Sequence, residues 1–404
     1  MVKLSISRPR DAEAEASPEL RYLRGLVAAE ARRVWGEVAS GGGGSGGAAG
    51  LDGDAGLESA TGAQGGARVE GPSHVLLLAG DGVFVARRSL AEMRAAVEAG
   101  AAAAVAGLLS EALPAEGPGV YTLRGFERVE REILDGGGPA APSAPAAALF
   151  TAQAWRTVTD DGGDPGTADL ADLLARLPER PAVAGLCHRF VDYYGEVRAD
   201  AVPHLPEGAR EVLEIGCGRG ATGEHLQREL GCRVTGVELN PEVARGARGR
   251  LHRVVVGDVE DPAVAAELRG GAPAGGFDAL LATELFEHLV EPERFLAAAR
   301  GLVRPGGRIV LSVPNVGHWS VVEDLLAGRW DYLPIGILCY THYRFFTRRT
   351  LEDWLARCGF DRVRLVAQPT EPPPWLADGA AEIAGLEADP ESLRTKGFWV
   401  LIDL

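Results

Sequence analysis

Cysteine and methionine are scarce in this chain of 404 residues, at five and two. The cysteines, Cys187, Cys217, Cys232, Cys339 and Cys358, are an odd, scattered set with no CxxC pair, which argues against a disulfide framework or a structural zinc site and fits a reducing cytosol. No metal-ligating set is expected. Positive charge is also short: 41 Lys and Arg against 57 Asp and Glu leave a net charge of −16, whereas a phosphate-binding groove needs a basic surface. Nucleic acid is therefore not an expected partner. The amino terminus has no apolar signal core, and the alanine-rich stretch 99–109 is too short and small-sided to span a bilayer. A soluble, cytoplasmic protein without a membrane partner is expected, and the sequence leaves its oligomeric state open. Hydrophobic residues make up 46% of the chain, ample for a real core in two domains or one decorated one.

What is present is most informative at Val212-Leu213-Glu214-Ile215-Gly216-Cys217-Gly218-Arg219-Gly220, followed eighteen residues later by Glu238. An aliphatic run reads as a buried parallel strand, and three alternate glycines make a turn that a Cβ would obstruct. A helix over 221–230, stopped by Gly231, then aims its unpaired N–H groups at whatever the glycines admit. Glu238 closes a second strand, where a carboxylate can accept from both hydroxyls of a ribose. The pattern points to an adenosine-containing ligand. The glycines alone also suit a dinucleotide, so a nicotinamide-dependent oxidoreductase is a first alternative. Against it stand Glu214, where dinucleotide folds usually place an apolar residue, and Gly257-Asp258 ending a third strand. Carboxylates there suit a cationic, amine-bearing ligand.

With its acidic residue, alternating-glycine turn and acids ending strands two and three, the chain resembles the class I S-adenosylmethionine-dependent methyltransferases. Further matches are Phe277–Ala282 as strand four, Leu285-Phe286-Glu287-His288-Leu289 after it, and Arg304-Pro305-Gly306-Gly307 leading into strand five. The resemblance implies an α/β fold: a Rossmann-like, seven-stranded methyltransferase sheet with a C-terminal antiparallel hairpin. It implies S-adenosylmethionine as cofactor, with Glu214, Gly216, Cys217, Gly218 and Gly220 around the methionine part, Glu238 at the ribose, and Asp258 with Val259 at the adenine. Tyr194, Leu239 and Glu284 complete the expected cofactor set, Tyr194 as a lid from an aromatic lead-in helix that begins at Leu186. Pro314–Trp319 and Thr341–Thr347 resemble a subgroup related to ubiquinone-biosynthesis O-methyltransferases, over about 193–404. Members commonly carry an acid and a base before the Thr-His pair; Cys339 and Tyr340 stand there instead.

The organisation expected is an N-terminal helix within 1–40, a disordered Gly/Ala-rich insert over 41–72, a smaller α/β unit over 73–180 and the methyltransferase domain over 185–404. Ser17-Pro18-Glu19 starts the helix, and the insert has almost no large apolar side chains with which to offset ordering entropy. In the smaller unit, strands are expected at 74–78 and 149–158 and helices at 89–99 and 170–177. That unit faintly resembles a family 2 glycosyltransferase, with one acid, Asp81, where the family has a metal-binding pair and without its opening strand; a degenerate, non-catalytic remnant is implied. A non-enzymatic scaffold with a glycosyltransferase-like recruiting unit is a second alternative.

Seven of the 25 aromatic residues fall in the 32 positions 315–346: Trp319, Trp330, Tyr332, Tyr340, Tyr343, Phe345 and Phe346. A connection that long is usually functional, and it follows a strand's carboxyl end, on the rim where open α/β sheets bind ligands. It is expected to cover an acceptor pocket for a small molecule or glycan precursor, with Trp319, Trp330, Tyr332, His342 and Arg344 as substrate residues. Methyl transfer is in-line displacement from a positive sulfur, so alignment and water exclusion dominate. For a hydroxyl acceptor His288 is the preferred proton acceptor and His318 the next. Arg329, Arg348 and Arg349 are further candidates for holding an anionic acceptor.

Overall fold

The structure, a computed structural model, describes residues 2–7, 18–35, 38–40, 74–79, 83–108, 122–136, 146–159, 169–189, 194–333, 335–360, 362–371 and 389–404. The proposed insert at 41–72, Asp81 and the aromatics Phe190 and Tyr193 lie outside them. The chain divides into two compact units, the first built mainly from residues up to Arg189 and the second from Phe190 to Leu404 together with 17–22 and 115–129.

The first unit contains strands β1 (Val2–Ser7), β2 (Val38–Ser40), β3 (His74–Ala79), β4 (Val83–Val85), β5 (Ala103–Leu108), β6 (Ala147–Thr151) and β7 (Ala182–Arg189). Between them run helices α1 (Pro18–Trp35), α2 (Arg87–Glu98), α3 (Leu123–Asp135), α4 (Ala152–Thr159) and α5 (Leu170–Ala175); α3 through Val129 groups with the second unit. One sheet takes the order β2-β1-β3-β6-β5-β7-β4. Three expectations change here. Val2–Ser7 is a strand parallel to β3, within the span where an N-terminal helix is expected. The stretch 149–158 is a strand that turns into a helix at Thr151, whose hydroxyl accepts the N–H of Ala154 and caps α4. The aromatic lead-in helix from Leu186 is not formed: Ala182–Arg189 is β7, parallel to β5 and antiparallel to β4, so ladder pairing on both sides satisfies its backbone and overrides helical spacing.

The second unit follows the expected alternation. Its elements are β8 (Glu211–Ile215), α6 (Ala221–Leu230), β9 (Arg233–Glu238), α7 (Pro241–Arg248), β10 (Arg253–Val256), α8 (Pro262–Gly270), β11 (Phe277–Thr283), α9 (Pro292–Leu302) and β12 (Val303–Pro314), then α10 (Trp319–Leu326), α11 (Arg348–Arg357), β13 (Val363–Pro369), α12 (Pro390–Leu393) and β14 (Thr395–Asp403). The seven-stranded sheet has the order β10-β9-β8-β11-β12-β14-β13, parallel except where β14 runs against both β12 and β13. Order reverses between β8 and β11, which opens a crevice at their carboxyl ends. The central strands are buried on both faces: Leu213, Ile215, Leu280 and Ala282 join one core with Phe286 and Leu351, while Val212, Ala279, Leu281 and Trp399 join the other. Pro241, Pro262 and Pro292 each open a helix at its first turn, where a missing N–H costs nothing. Among the described residues no helix is long and apolar enough to cross a membrane.

Candidate functional site

Strand β8 delivers the glycine turn to the crevice. Gly216, Gly218 and Gly220 all have positive φ, at 71°, 54° and 80°. Gly218 is the most constrained, since a Cβ there would lie 2.6 Å from the carbonyl oxygen of Tyr194. That same oxygen accepts the N–H of Arg219 at 2.8 Å, so the backbone at Tyr194 is seated on the turn. Gly218→Ala is expected to destabilise the protein by about 1–3 kcal/mol, because backbone must move on one side or the other. Chemical denaturation checks it; an unchanged midpoint would mean the turn is not fixed by this contact.

Two carboxylates flank the turn and both face inward. Glu238 is 6% exposed and receives the N–H of Gly218 on Oε2 at 3.0 Å and that of Asn240 on Oε1 at 2.8 Å. Glu214 is 4% exposed and its Oε2 is a buried oxygen with no hydrogen-bond partner. Burial, opposed by a backbone hydrogen bond from Gly223 and reinforced by the charge of Glu238, raises its pKa to about 8. A buried acid at half strength beside a bare backbone turn suits a cationic ligand group. Cys217 is buried, its thiol pushed up by burial first and then by Glu214 and Glu238, so it is packing rather than a nucleophile. Leu239, 66% exposed, and the exposed Asp258 with the half-buried Val259 stand at the ends of β9 and β10.

Beyond β11 the chain turns through Glu284, whose φ of 48° is the single positive value outside glycine among the described residues. The side chain of Leu285 comes 3.5 Å from where a Cβ on Gly216 would sit, which puts this segment on the rim of the glycine turn. Glu287 and His288 follow in one turn of 3-10 helix. Residues 341–344 are fastened to it: the N–H groups of Tyr343 and Arg344 donate to the carbonyl of Glu287, and the Arg344 guanidinium donates to the carbonyls of Leu289 and Val290 at 2.6 and 2.8 Å. This clamp brings His342 to His288, ring centroids 4.6 Å apart and nearly perpendicular.

Glu287, His288 and His342 thereby offer ligand atoms within 4.8 Å of one another. Glu287 is fully buried and neither of its carboxylate oxygens has a hydrogen-bond partner. Nδ1 of His342 lies 3.1 Å from the carbonyl of Ile337 and Nδ1 of His288 3.3 Å from that of Thr341. A carbonyl only accepts, so a neutral His342 imidazole carries its proton on Nδ1 and its lone pair on Nε2. Nε2 of His342 is 3.7 Å from Oε1 of Glu287, too long for a hydrogen bond. Burial, then the neighbouring His288, lowers the His342 pKa to about 3, while burial and the charge of Glu284 push Glu287 well up. The two are thus not an ion pair. Two imidazoles, each with one nitrogen on a backbone carbonyl, beside an unpartnered buried carboxylate are a donor set of the kind that can hold a divalent cation.

Other sequence candidates are placed differently. His318 is completely buried: Nδ1 accepts from the N–H of Ser320 and so caps α10, Nε2 is 2.8 Å from Thr370 Oγ1, and burial lowers its pKa to about 3. It is a structural residue, not a base facing an acceptor. Trp319 is buried in the same corner and cannot line an open pocket. Arg344 spends its donors on backbone carbonyls; Arg329 is held by Glu127 and Asp331 at 2.6 and 2.5 Å, and Arg348 by Glu391 at 2.9 Å. Their spacing gave no sign of these partners, which the tertiary fold supplies. Tyr332, 39% exposed, and Trp330, packed edge-on against Phe345 with centroids 5.1 Å apart, remain on the long connection.

A doubly wound sheet with an acid-flanked glycine turn at its switch point defines a nucleoside-cofactor enzyme. A family model described as Methyltransferase domain matches residues 167–365. The chain is 36% identical over 169 residues to a ubiquinone biosynthesis O-methyltransferase of Burkholderia thailandensis, covering 41% of this chain and 70% of that protein. It is 40% identical over 158 residues to the enzyme so named in Xanthomonas axonopodis pv. citri, covering 38% of this chain and 63% of the relative's length. Among solved structures, a SAM-dependent methyltransferase from Archaeoglobus fulgidus is similar at 19% identity over 51% of this chain and 90% of that one, with a TM-score of 0.37. The chain belongs to the S-adenosylmethionine-dependent methyltransferases, which replaces the nicotinamide alternative.

Proposed function

We propose that the chain transfers a methyl group from S-adenosylmethionine to an oxygen of a small hydroxylated molecule. The observation that carries this is the trio Glu287, His288 and His342, the first and last buried and His288 half-buried, on the rim of the glycine turn. It fits an acceptor that must lose a proton as the methyl arrives. The relatives are named for O-methylation in ubiquinone biosynthesis, which supports oxygen as the target. On this reading Glu238 accepts from the ribose hydroxyls, Leu239, Asp258 and Val259 border the adenine, and Glu214 faces the cationic methionine end. Glu287, His288 and His342 would hold a divalent cation, which when bound lowers the pKa of a coordinated hydroxyl. His288, half-buried, lies nearest the open side and receives the acceptor; Tyr332 and Trp330 cover its apolar part and exclude water. The N-terminal unit acts as an accessory, non-catalytic body.

Incubation with labelled donor and a panel of phenols and hydroxylated glycan precursors, read by mass spectrometry, tests the reading. An oxygen-linked methyl is expected; methylation confined to nitrogen would overturn it. A second readout comes from Glu214. With its pKa near 8 the carboxyl is protonated in the free protein at pH 7, and the ammonium of the bound donor favours the ionised form. Binding at pH 7 should therefore release a proton, approaching one per site. Titration calorimetry in two buffers of different ionisation enthalpy measures it, and identical heats in both would contradict the assignment.

A further inference from the structure

We infer that Ser312 and Arg198 are positioning residues that set the carboxylate of Glu284 for the donor, an inference that rests on the reading above. A left-handed backbone is strained for a residue with a Cβ, and glutamate lacks the short side chain that lets asparagine or aspartate relieve it locally. Something must hold Glu284 there. Ser312 lies on β12 opposite Thr283, the last residue of β11, and is completely buried. Its Oγ accepts the N–H of Glu284 at 2.9 Å and donates its own proton to Glu284 Oε1 at 2.6 Å. One hydroxyl thus ties down both the backbone and the side chain of the same residue, where a regular strand would have continued the ladder.

Arg198 completes the arrangement. Its Nη1 is 3.4 Å from Ser312 Oγ and 3.5 Å from Glu284 Oε1. The guanidinium is itself immobilised, forked onto Asp200 at 3.0 and 3.1 Å and stacked over the Trp399 ring at 4.9 Å. Ser312 Oγ has then used its donor and both lone pairs. Among the described residues Oε2 of Glu284 has no such partner, and the side chain is 44% exposed, on the segment that borders Gly216. A carboxylate with one oxygen clamped and the other left for a ligand, on a segment that borders the glycine turn, is pre-set for the ammonium or sulfonium of the donor.

A double-mutant cycle on the full chain tests this, with affinity for S-adenosylhomocysteine read by calorimetry and unfolding followed in parallel. Glu284→Ala should weaken binding about tenfold, the loss of one charge-assisted hydrogen bond. Ser312→Ala should give much of that loss, Ser312→Thr should restore it, and the double variant should be no weaker than Glu284→Ala alone. Multiplying losses in the double variant, or wild-type affinity in Ser312→Ala while Glu284→Ala is impaired, would overturn the inference and leave the site reading intact. Unimpaired Glu284→Ala would remove Glu284 from the donor site and the inference with it. Failure of the unaltered chain to bind would instead refute the proposed function itself. The Ser312→Thr rescue separates positioning from packing, because a merely structural serine at a fully buried site would tolerate alanine better than threonine.

Discussion

Replacing Glu238 with alanine should weaken donor binding by about a hundredfold or more. Two contributions add. On the proposed reading, hydrogen bonds from ribose hydroxyls to the carboxylate would be charge-assisted, worth roughly 1.5–3 kcal/mol each. Its two oxygens also anchor the N–H groups of Gly218 and Asn240, one in the glycine turn and one at the cap of α7. Removing it therefore frees the turn as well as the ribose, and about 1.4 kcal/mol accounts for each tenfold. Glu238→Gln separates the two effects: its amide oxygen keeps one backbone acceptor while its NH2 cannot accept. It should lose most of the ribose energy with a smaller change in unfolding midpoint than alanine. Calorimetry with S-adenosylhomocysteine is the measurement, and affinity within threefold of wild type in both variants would remove Glu238 from the ribose.

How far this site was readable from residues depends on the distance between partners along the chain. The glycine turn, Glu214 and Glu238 were legible because strand, turn and helix are consecutive, and three glycines with positive φ leave few other structures. The second sheet was legible for the same reason, as strands alternate with helices opened by proline and closed by glycine. What failed was non-local. Val2–Ser7 alternates at period two but is a strand only because β2 and β3 lie beside it. Ala182–Arg189 carries small residues with weak preference, and two neighbouring strands decide its state. His318 and His342 look alike in sequence, each beside an aromatic on a long connection. Capping of α10 and Thr370 take up one, while the clamp of 341–344 on Glu287 delivers the other to His288. Nothing within a few residues of either histidine distinguishes them.

Glu287 and His342 carry the second large expected effect, on turnover rather than on donor binding. An unpartnered buried carboxylate is costly to a fold and persists where a ligand or proton completes it. Glu287→Gln should lower kcat about a hundredfold, within the range for losing a proton-transfer or cation-holding group, while donor affinity stays within twofold. Its thermal midpoint should not fall and should rise slightly, because a neutral amide removes the burial penalty that pushes the carboxyl pKa up. His342→Ala should weaken cation affinity about 10–100-fold. One carboxylate with two imidazoles admits Mn²⁺ or Zn²⁺ better than Ca²⁺. Chelator-treated chain titrated with Mn²⁺, followed by its spin resonance signal and by calorimetry, should bind one ion, and His342→Ala should shift that curve without altering the donor isotherm. If wild type binds neither ion and chelation leaves turnover unchanged, the trio acts through a proton alone. His288→Ala and Glu287→Gln should then shift the pH profile of turnover, which a cation site would not require.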